Sequence, residues 1–405
     1  MKLKNILTVI FAAAVFSACS LEEDTSTFAN SKSFYKNEQQ CRAALNSCYI
    51  PMKDLYSYKM MLATECATDL AYSRSSTQDA QLDISPANPR FGADVWNNGY
   101  KGIRYCNEAI TGIEGSNLDE KVKAPLAAEG KIMRAFYYWL MTSFFGDIPF
   151  YTEAVADEAT LAKVAKLPRM SADSTRAWLI KDLQECLPSL PLKRSSEIAD
   201  NRVGAAVGYM LIAKMAQWNK EWKVSLDACR KIEEIYGSLD QYPLSDIPFR
   251  MKNTTTTAFL GPKFWCPDMQ SNHDHNNYKI FRYADVLLMI AEAHCMLQDD
   301  MDAALKYLNM TKIRAGIRLY DKHTWKRIRE EIMAERGREL FGEFQRKFDL
   351  VRWGTWYERT ESETRSVALK TNILPCHRYY PIPAVQVAYS GYALDNKEYE
   401  QYGVQ

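Results

Sequence analysis

The residues of this 405-residue chain best suited to chemistry are flat rings beside hydrogen-bonding groups. Trp96 follows a long stretch without helical pattern that holds Asp69, Tyr72 and Arg74. The three loop residues combine a ring, an acceptor and a forked donor. Sugar binding on an open surface needs such groups, rings to pack against C–H faces and polar groups for the hydroxyls. Trp265, in a second long stretch, reads either as core or as a platform. Trp96 is open to the same two readings: it packs the start of its helix or it faces a ligand. For Asp69, Tyr72 and Arg74 the plain alternative is a solvated loop.

Catalysis asks for other residues. Glycoside hydrolysis needs two opposed carboxylates roughly 5–9 Å apart. Glu22-Glu23, Glu233-Glu234 and Glu330-Glu331 are adjacent pairs that diverge on a helix and do not flank one bond. No G-x-S-x-G, H-E-x-x-H or Walker pattern occurs. Asp349 and Arg352, three apart, read as a structural ion pair, and Glu335, Arg336, Arg338 and Glu339 as charged helix faces. His273-Asp274-His275 has metal-ligating residue types, but in a Ser/Asn-rich loop they read as solvated. The sequence predicts a binding protein with no cofactor and no metal, not an enzyme.

The N-terminus bears on location. Two lysines precede an apolar block from Ile6 to Phe16, then Ser17-Ala18-Cys19. This fits a secretory signal peptide over 1–18 and is too short to span a bilayer. A cysteine directly after small residues resembles a bacterial lipobox, in which the thiol takes a diacylglycerol and the chain is cut before it. Cys19 is therefore the expected lipid anchor, two or more acyl chains being needed for stable attachment. Residues 19–32 are polar and acidic and read as a tether.

Composition narrows the classes. With 51 Lys+Arg against 50 Asp+Glu the chain lacks the basic excess that phosphate backbones require. Beyond the first residues no run is apolar and long enough for a membrane span, which excludes a multi-pass transporter. Nine cysteines besides Cys19 show no CxxC spacing and read as buried small hydrophobes.

The elements that must position these residues are helical nearly throughout. A single domain over 33–405 is expected, mainly α, with helical hairpins near 94–145, 174–236 and 282–316. Asp94 and Asp119 read as helix caps, and Asp173 or Ser174 starts another helix. Met133 to Phe145 is apolar on nearly all sides, as in a helix buried among others. Arg202–Trp218 with Lys223–Tyr236, and Arg282–Leu297 with Met301–Gly316, each pair a small residue (Ala213, Ala291) with a large one (Leu226, Leu305). That is the logic of a tetratricopeptide-like repeat, whose hairpins must stack to bury both faces. Ligand-side loops are expected near 69–92 and 242–279.

Four stretches, in order, resemble the SusD/RagB family of Bacteroidetes outer-membrane lipoproteins. They are Ser33-Phe34-Tyr35-Lys36; Glu129 to Tyr138 closed by Phe145-Gly146-Asp147-Ile148-Pro149; Arg282 to Met289 with Ile313-Arg314-Ala315-Gly316; and Glu335 to Leu340 with Asp349 to Gly354 and Tyr380-Pro381-Ile382-Pro383. The resemblance implies stacked tetratricopeptide-like hairpins forming an α/α superhelix with minor β structure. It implies a non-enzymatic cell-surface lipoprotein that captures a glycan and delivers it to a SusC-like TonB-dependent transporter. It also implies that Trp96 belongs to an aromatic arc, because Trp96, Tyr100, Ile103 and Cys106-Asn107 follow the family's helix pattern. The stretch between Tyr242 and Lys279 is shorter than the family's middle. An alternative is therefore a scaffold that sits on the transporter without strong ligand binding.

Overall fold

The computed structural model describes residues 34–73, 77–193, 202–237 and 279–404. Helix α1 spans Glu38–Tyr49 and α2 spans Tyr58–Thr64, each capped by the side chain before it, Asn37 and Ser57. A long pair follows, α3 over Phe91–Glu114 and α4 over Glu120–Phe145. Helix α3 begins three residues before Asp94, because the Asp79 carboxylate accepts from the Phe91 amide at 3.1 Å. Asp94 lies within the first turn and pairs with Lys59 of α2 at 2.7 Å instead. Asp119 does cap α4, accepting from the Lys121 amide, and Gly146 at φ +69° ends it.

Every side chain of α4 from Ile132 to Phe145 is buried, as its all-round apolar pattern requires. Helix α3 lies close against it because Gly102 carries no side chain. A Cβ there would sit 2.4 Å from the Tyr137 ring. The Tyr137 hydroxyl donates to the Cys48 carbonyl at 2.6 Å and so ties α4 to α1. Seven of the eight described cysteines are buried, and all eight are free thiols.

After α4, strands β1 (Ile148–Pro149) and β2 (Arg169–Met170) pair antiparallel, with Ile148 opposite Met170. Helix α5 spans Ala172–Cys186 and is capped by Ser171, which accepts from the Ser174 amide; the cap precedes Asp173 and Ser174. Two hairpins follow, α6 (Ala205–Trp218) with α7 (Trp222–Tyr236) and α8 (Tyr283–Leu297) with α9 (Met301–Ala315). Arg202 and Arg282 fall just outside these helices, and their guanidinium groups bond Glu129 and Glu343 of other segments, both at 2.8 Å. Ala213, Leu226, Ala291 and Leu305 are all buried. Helix α10 (Trp325–Glu339) and α11 (Arg346–Arg352) complete the array. The chain then returns across the front, where the Tyr380 amide donates to the Phe144 carbonyl and the Ala384 amide to that of Pro86. It enters α12, Ala384–Tyr389.

A buried row of alternating charges fastens four of these helices. Lys214 (α6) meets Asp285 (α8) at 2.6 Å, Asp285 meets Arg336 (α10) at 2.9 Å, and Arg336 meets Asp349 (α11) at 2.7 Å. Arg352 joins Asp349 at 2.9 Å and Glu292 (α8) at 2.6 Å. Three cations balance three anions, so the row is neutral. Burial pushes the Asp285 carboxyl up, but Lys214 and Arg336 outweigh it and hold the group well below the usual carboxylate range. The Asp349–Arg352 pair is thus one link of a longer chain. Among the described residues, no helix is long and apolar enough to cross a membrane.

Candidate functional site

The structure separates the residues singled out by sequence. Both Asp69 oxygens are occupied: Arg346 donates from Nε at 2.7 Å and from Nη2 at 2.6 Å. Side chains of the pair are nearly buried, so Asp69 is a cross-link from the loop to α11 and offers no free acceptor. Trp96 is 4 % exposed. Its ring meets Phe145 edge-on at 5.1 Å and leans on Tyr100 at 4.9 Å. A ring covered on this scale presents no face to a sugar, so Trp96 belongs to the core, because the end of α4 lies over it. Tyr72 is 47 % exposed and remains a surface ring. Cys19, Arg74, Trp265 and His273-Asp274-His275 lie outside the described residues. Among the described residues, no three His, Cys, Asp or Glu side chains gather to hold a metal ion.

Beside the buried Trp96, three elements bring polar groups and rings together. Asp94 and Asn97 lie three apart on the first turns of α3, on one face. Lys59 reaches Asp94 from α2, and the Gln386 amide of α12 reaches the Asn97 side-chain oxygen at 3.5 Å. Tyr58, next to Lys59 and electrostatically coupled to it, is 70 % exposed. Tyr389, three residues after Gln386, is 75 % exposed. The result is a surface where an ammonium–carboxylate pair and two side-chain amides meet, with an exposed phenol on each of the two short helices that reach α3. Rings supply an apolar face with a polar tip, and the paired groups supply donors and acceptors.

The loop that launches α3 carries strain. Arg90, immediately before the helix, is held at φ +53° and ψ −127°, and Leu82 at φ +55°. Non-glycine residues in such regions cost about 1–3 kcal/mol each and gather at functional sites. The loop is pinned from below, because the Asp79 carboxylate accepts from the Phe91 amide and from the Tyr380 hydroxyl at 2.9 Å. Burial raises the Asp79 carboxyl. Lys347 lies near it, buried between the Trp356 ring at 5.1 Å and the Tyr380 ring at 4.9 Å. Burial brings the Lys347 ammonium down to about 7 against a smaller upward pull from Asp79. Burial, with the Lys347 charge, takes His377 down to about 4.

Sequence reading missed Tyr58, Asn97, Gln386 and Tyr389. Two of them carry a faint signal, an aromatic residue at the first or last position of a short helix beside Ser57 or Ser390. Nothing in local spacing places helices from opposite ends of the chain side by side.

Comparison with known proteins agrees with this architecture. A family model described as "Starch-binding associating with outer membrane" matches residues 24–216, and one described as "SusD family" matches 213–402. SusD-like protein P25 of Formosa agariphila is 23 % identical over 532 aligned positions that cover 98 % of each chain. A SusD superfamily protein from Bacteroides vulgatus superposes with a TM-score of 0.70 at 18 % identity, over 89 % of this chain and 98 % of its own. Surface glycan-binding protein A from Bacteroides thetaiotaomicron, in complex with laminarihexaose, superposes with a TM-score of 0.67 at 20 % identity, over 89 % and 99 %. The mainly helical, hairpin-built fold is thus SusD-like, and the consecutive matches over nearly the whole chain show that it belongs to the SusD/RagB family.

Proposed function

We propose that this protein is a cell-surface lipoprotein, anchored through Cys19, that captures a glycan and hands it to a SusC-like TonB-dependent outer-membrane transporter. The observation that carries this reading is family membership across residues 24–402, one half of it matched by a family described as starch-binding and outer-membrane-associated. The laminarihexaose complex of a protein with this fold supports a glycan as ligand. The signal peptide and lipobox-like cysteine support the anchor. Within the described residues, the face around Asp94 and Asn97, with Tyr58 and Tyr389, is the ligand surface we favour, and Tyr72 is an outlying ring. Its role is binding without turnover.

Calorimetry against a panel of neutral plant, algal and starch glycans tests capture, and radiolabelled palmitate incorporation in wild type and Cys19→Ala tests the anchor. Recovery of a large β-barrel with the tagged protein tests the transporter partnership. A protein that retains no glycan and recovers no barrel sinks the reading.

A second reading has its own support. The alignment with the Formosa relative runs to 532 positions for a chain of 405 residues, so that relative holds well over a hundred positions without counterparts here. A chain shortened in this way fits a scaffold that packs on the transporter without strong ligand binding. Recovery of the barrel with no measurable glycan affinity selects it.

A further inference from the structure

We propose that a polar cleft between the end of α4, β2 and the C-terminal segment is a second binding site, one that takes a single neutral sugar ring through adjacent hydroxyls. This deepens the glycan-binding reading and rests on it. The cleft has a volume of about 220 Å³. Ligand pockets for larger molecules run to roughly 300–1,000 Å³, so this one suits one ring.

Four separate stretches converge on it, contributing Asp147, Arg169, Arg378, Tyr379 and Glu398. Gly146, at φ +69°, forms part of the lining, and a Cβ there would stand 3.1 Å from the Tyr379 ring, so only glycine lets that ring lie so close. Asp147 is exposed and fixed at one oxygen, Oδ1 accepting from the Ala172 amide at 2.8 Å. Arg169 is steadied by Asp395 at 2.6 Å, which Lys397 also contacts at 2.9 Å. Arg378 and Glu398 are 3.4 Å apart, with side chains 51 % and 49 % exposed. Such a loose, half-solvated pair gives up little when it turns to a ligand.

The chemistry of the lining selects the ligand. Carboxylates only accept, and guanidinium groups only donate in a fixed fork. A vicinal diol does both, so it satisfies Glu398 or Asp147 and Arg378 at once. The two arginines are matched by the Asp147 and Glu398 carboxylates, so the cleft has no net sign with which to favour an acidic sugar, a phosphate or an amine.

The test titrates the full protein with methyl pyranosides of glucose, galactose, mannose and xylose, followed by NMR line shifts, alongside laminarihexaose, glucuronate and inorganic phosphate. At least one methyl pyranoside is expected to bind saturably. Arg378→Ala and Glu398→Gln, both half-exposed and expected to leave the thermal midpoint unchanged, should each weaken that binding 10-fold or more. Arg327→Ala, on the exposed face of α10 and outside both sites, should leave it unchanged. No saturable binding of any methyl pyranoside overturns the proposal, as does binding that survives both cleft variants or is stronger for glucuronate or phosphate. Long glycans retained without any monosaccharide binding sink the cleft alone. Monosaccharide binding lost in the cleft variants, with no polysaccharide retained, sinks the capture reading alone.

Discussion

Asp285 and Arg336, on helices α8 and α10, meet at 2.9 Å with both side chains almost completely buried. Neither charge could stay there alone. Each is answered by a further partner, Lys214 for Asp285 and Asp349 for Arg336. Removing one member leaves an uncompensated buried charge, which costs about 3–5 kcal/mol. Arg336→Met and Asp285→Asn should each lower the urea unfolding free energy by roughly this amount, while Arg327→Met, on the exposed face of α10, changes it little. Equal stability of Arg336→Met and wild type would contradict the role given to the row.

Lys347 makes stability depend on pH in a defined sense. Its folded-state value, brought to about 7 by burial, lies below its ordinary 10.5. Between the two, the unfolded chain binds a proton that the folded chain does not, so this group raises stability as pH increases from about 7. Lys347→Met removes the term. The difference in unfolding free energy, variant minus wild type, should therefore shrink from pH 7 to pH 9. A difference that stays constant over this interval shows that Lys347 does not titrate as described.

The exposed rings should matter for ligand and not for fold. Tyr58→Ala and Tyr389→Ala are each expected to weaken glycan binding by about 1–2 kcal/mol, roughly 5- to 30-fold. Their thermal midpoints should match wild type, because both side chains stand in solvent. Affinity unchanged in both variants removes this face from consideration as the ligand surface.

Trp96 gives the opposite pattern. Packed against Phe145 and Tyr100, it should cost about 3–5 kcal/mol of stability when cut to alanine. Trp96→Phe keeps most of the packing and should bind glycan as wild type does. A stable Trp96→Ala protein with selectively lost binding would return the ring to the ligand surface.

Gly102→Ala tests the close approach of α3 and α4. The added methyl would meet the Tyr137 ring at 2.4 Å, and overpacking of a tight core costs about 1–3 kcal/mol. The gain in helix propensity from glycine to alanine, up to about 1 kcal/mol, opposes it. Denaturant titration should show net destabilisation, larger than for Gly115→Ala beyond the end of α3.

By itself the sequence determined the helical character of the chain, the complete burial of α4 and the hairpin pairing, because periodicity and capping act over a few residues. The ordered stretches around Gly146, Arg282 and Arg336 also determined the family. Tertiary structure alone decided which polar and aromatic groups are free. Asp69 is consumed by Arg346, 277 residues away, and Trp96 is covered by the end of α4. Gln386 meets Asn97 although 289 residues separate them. Whether a ring is core or platform depends on which distant element lies over it, and no local spacing encodes that.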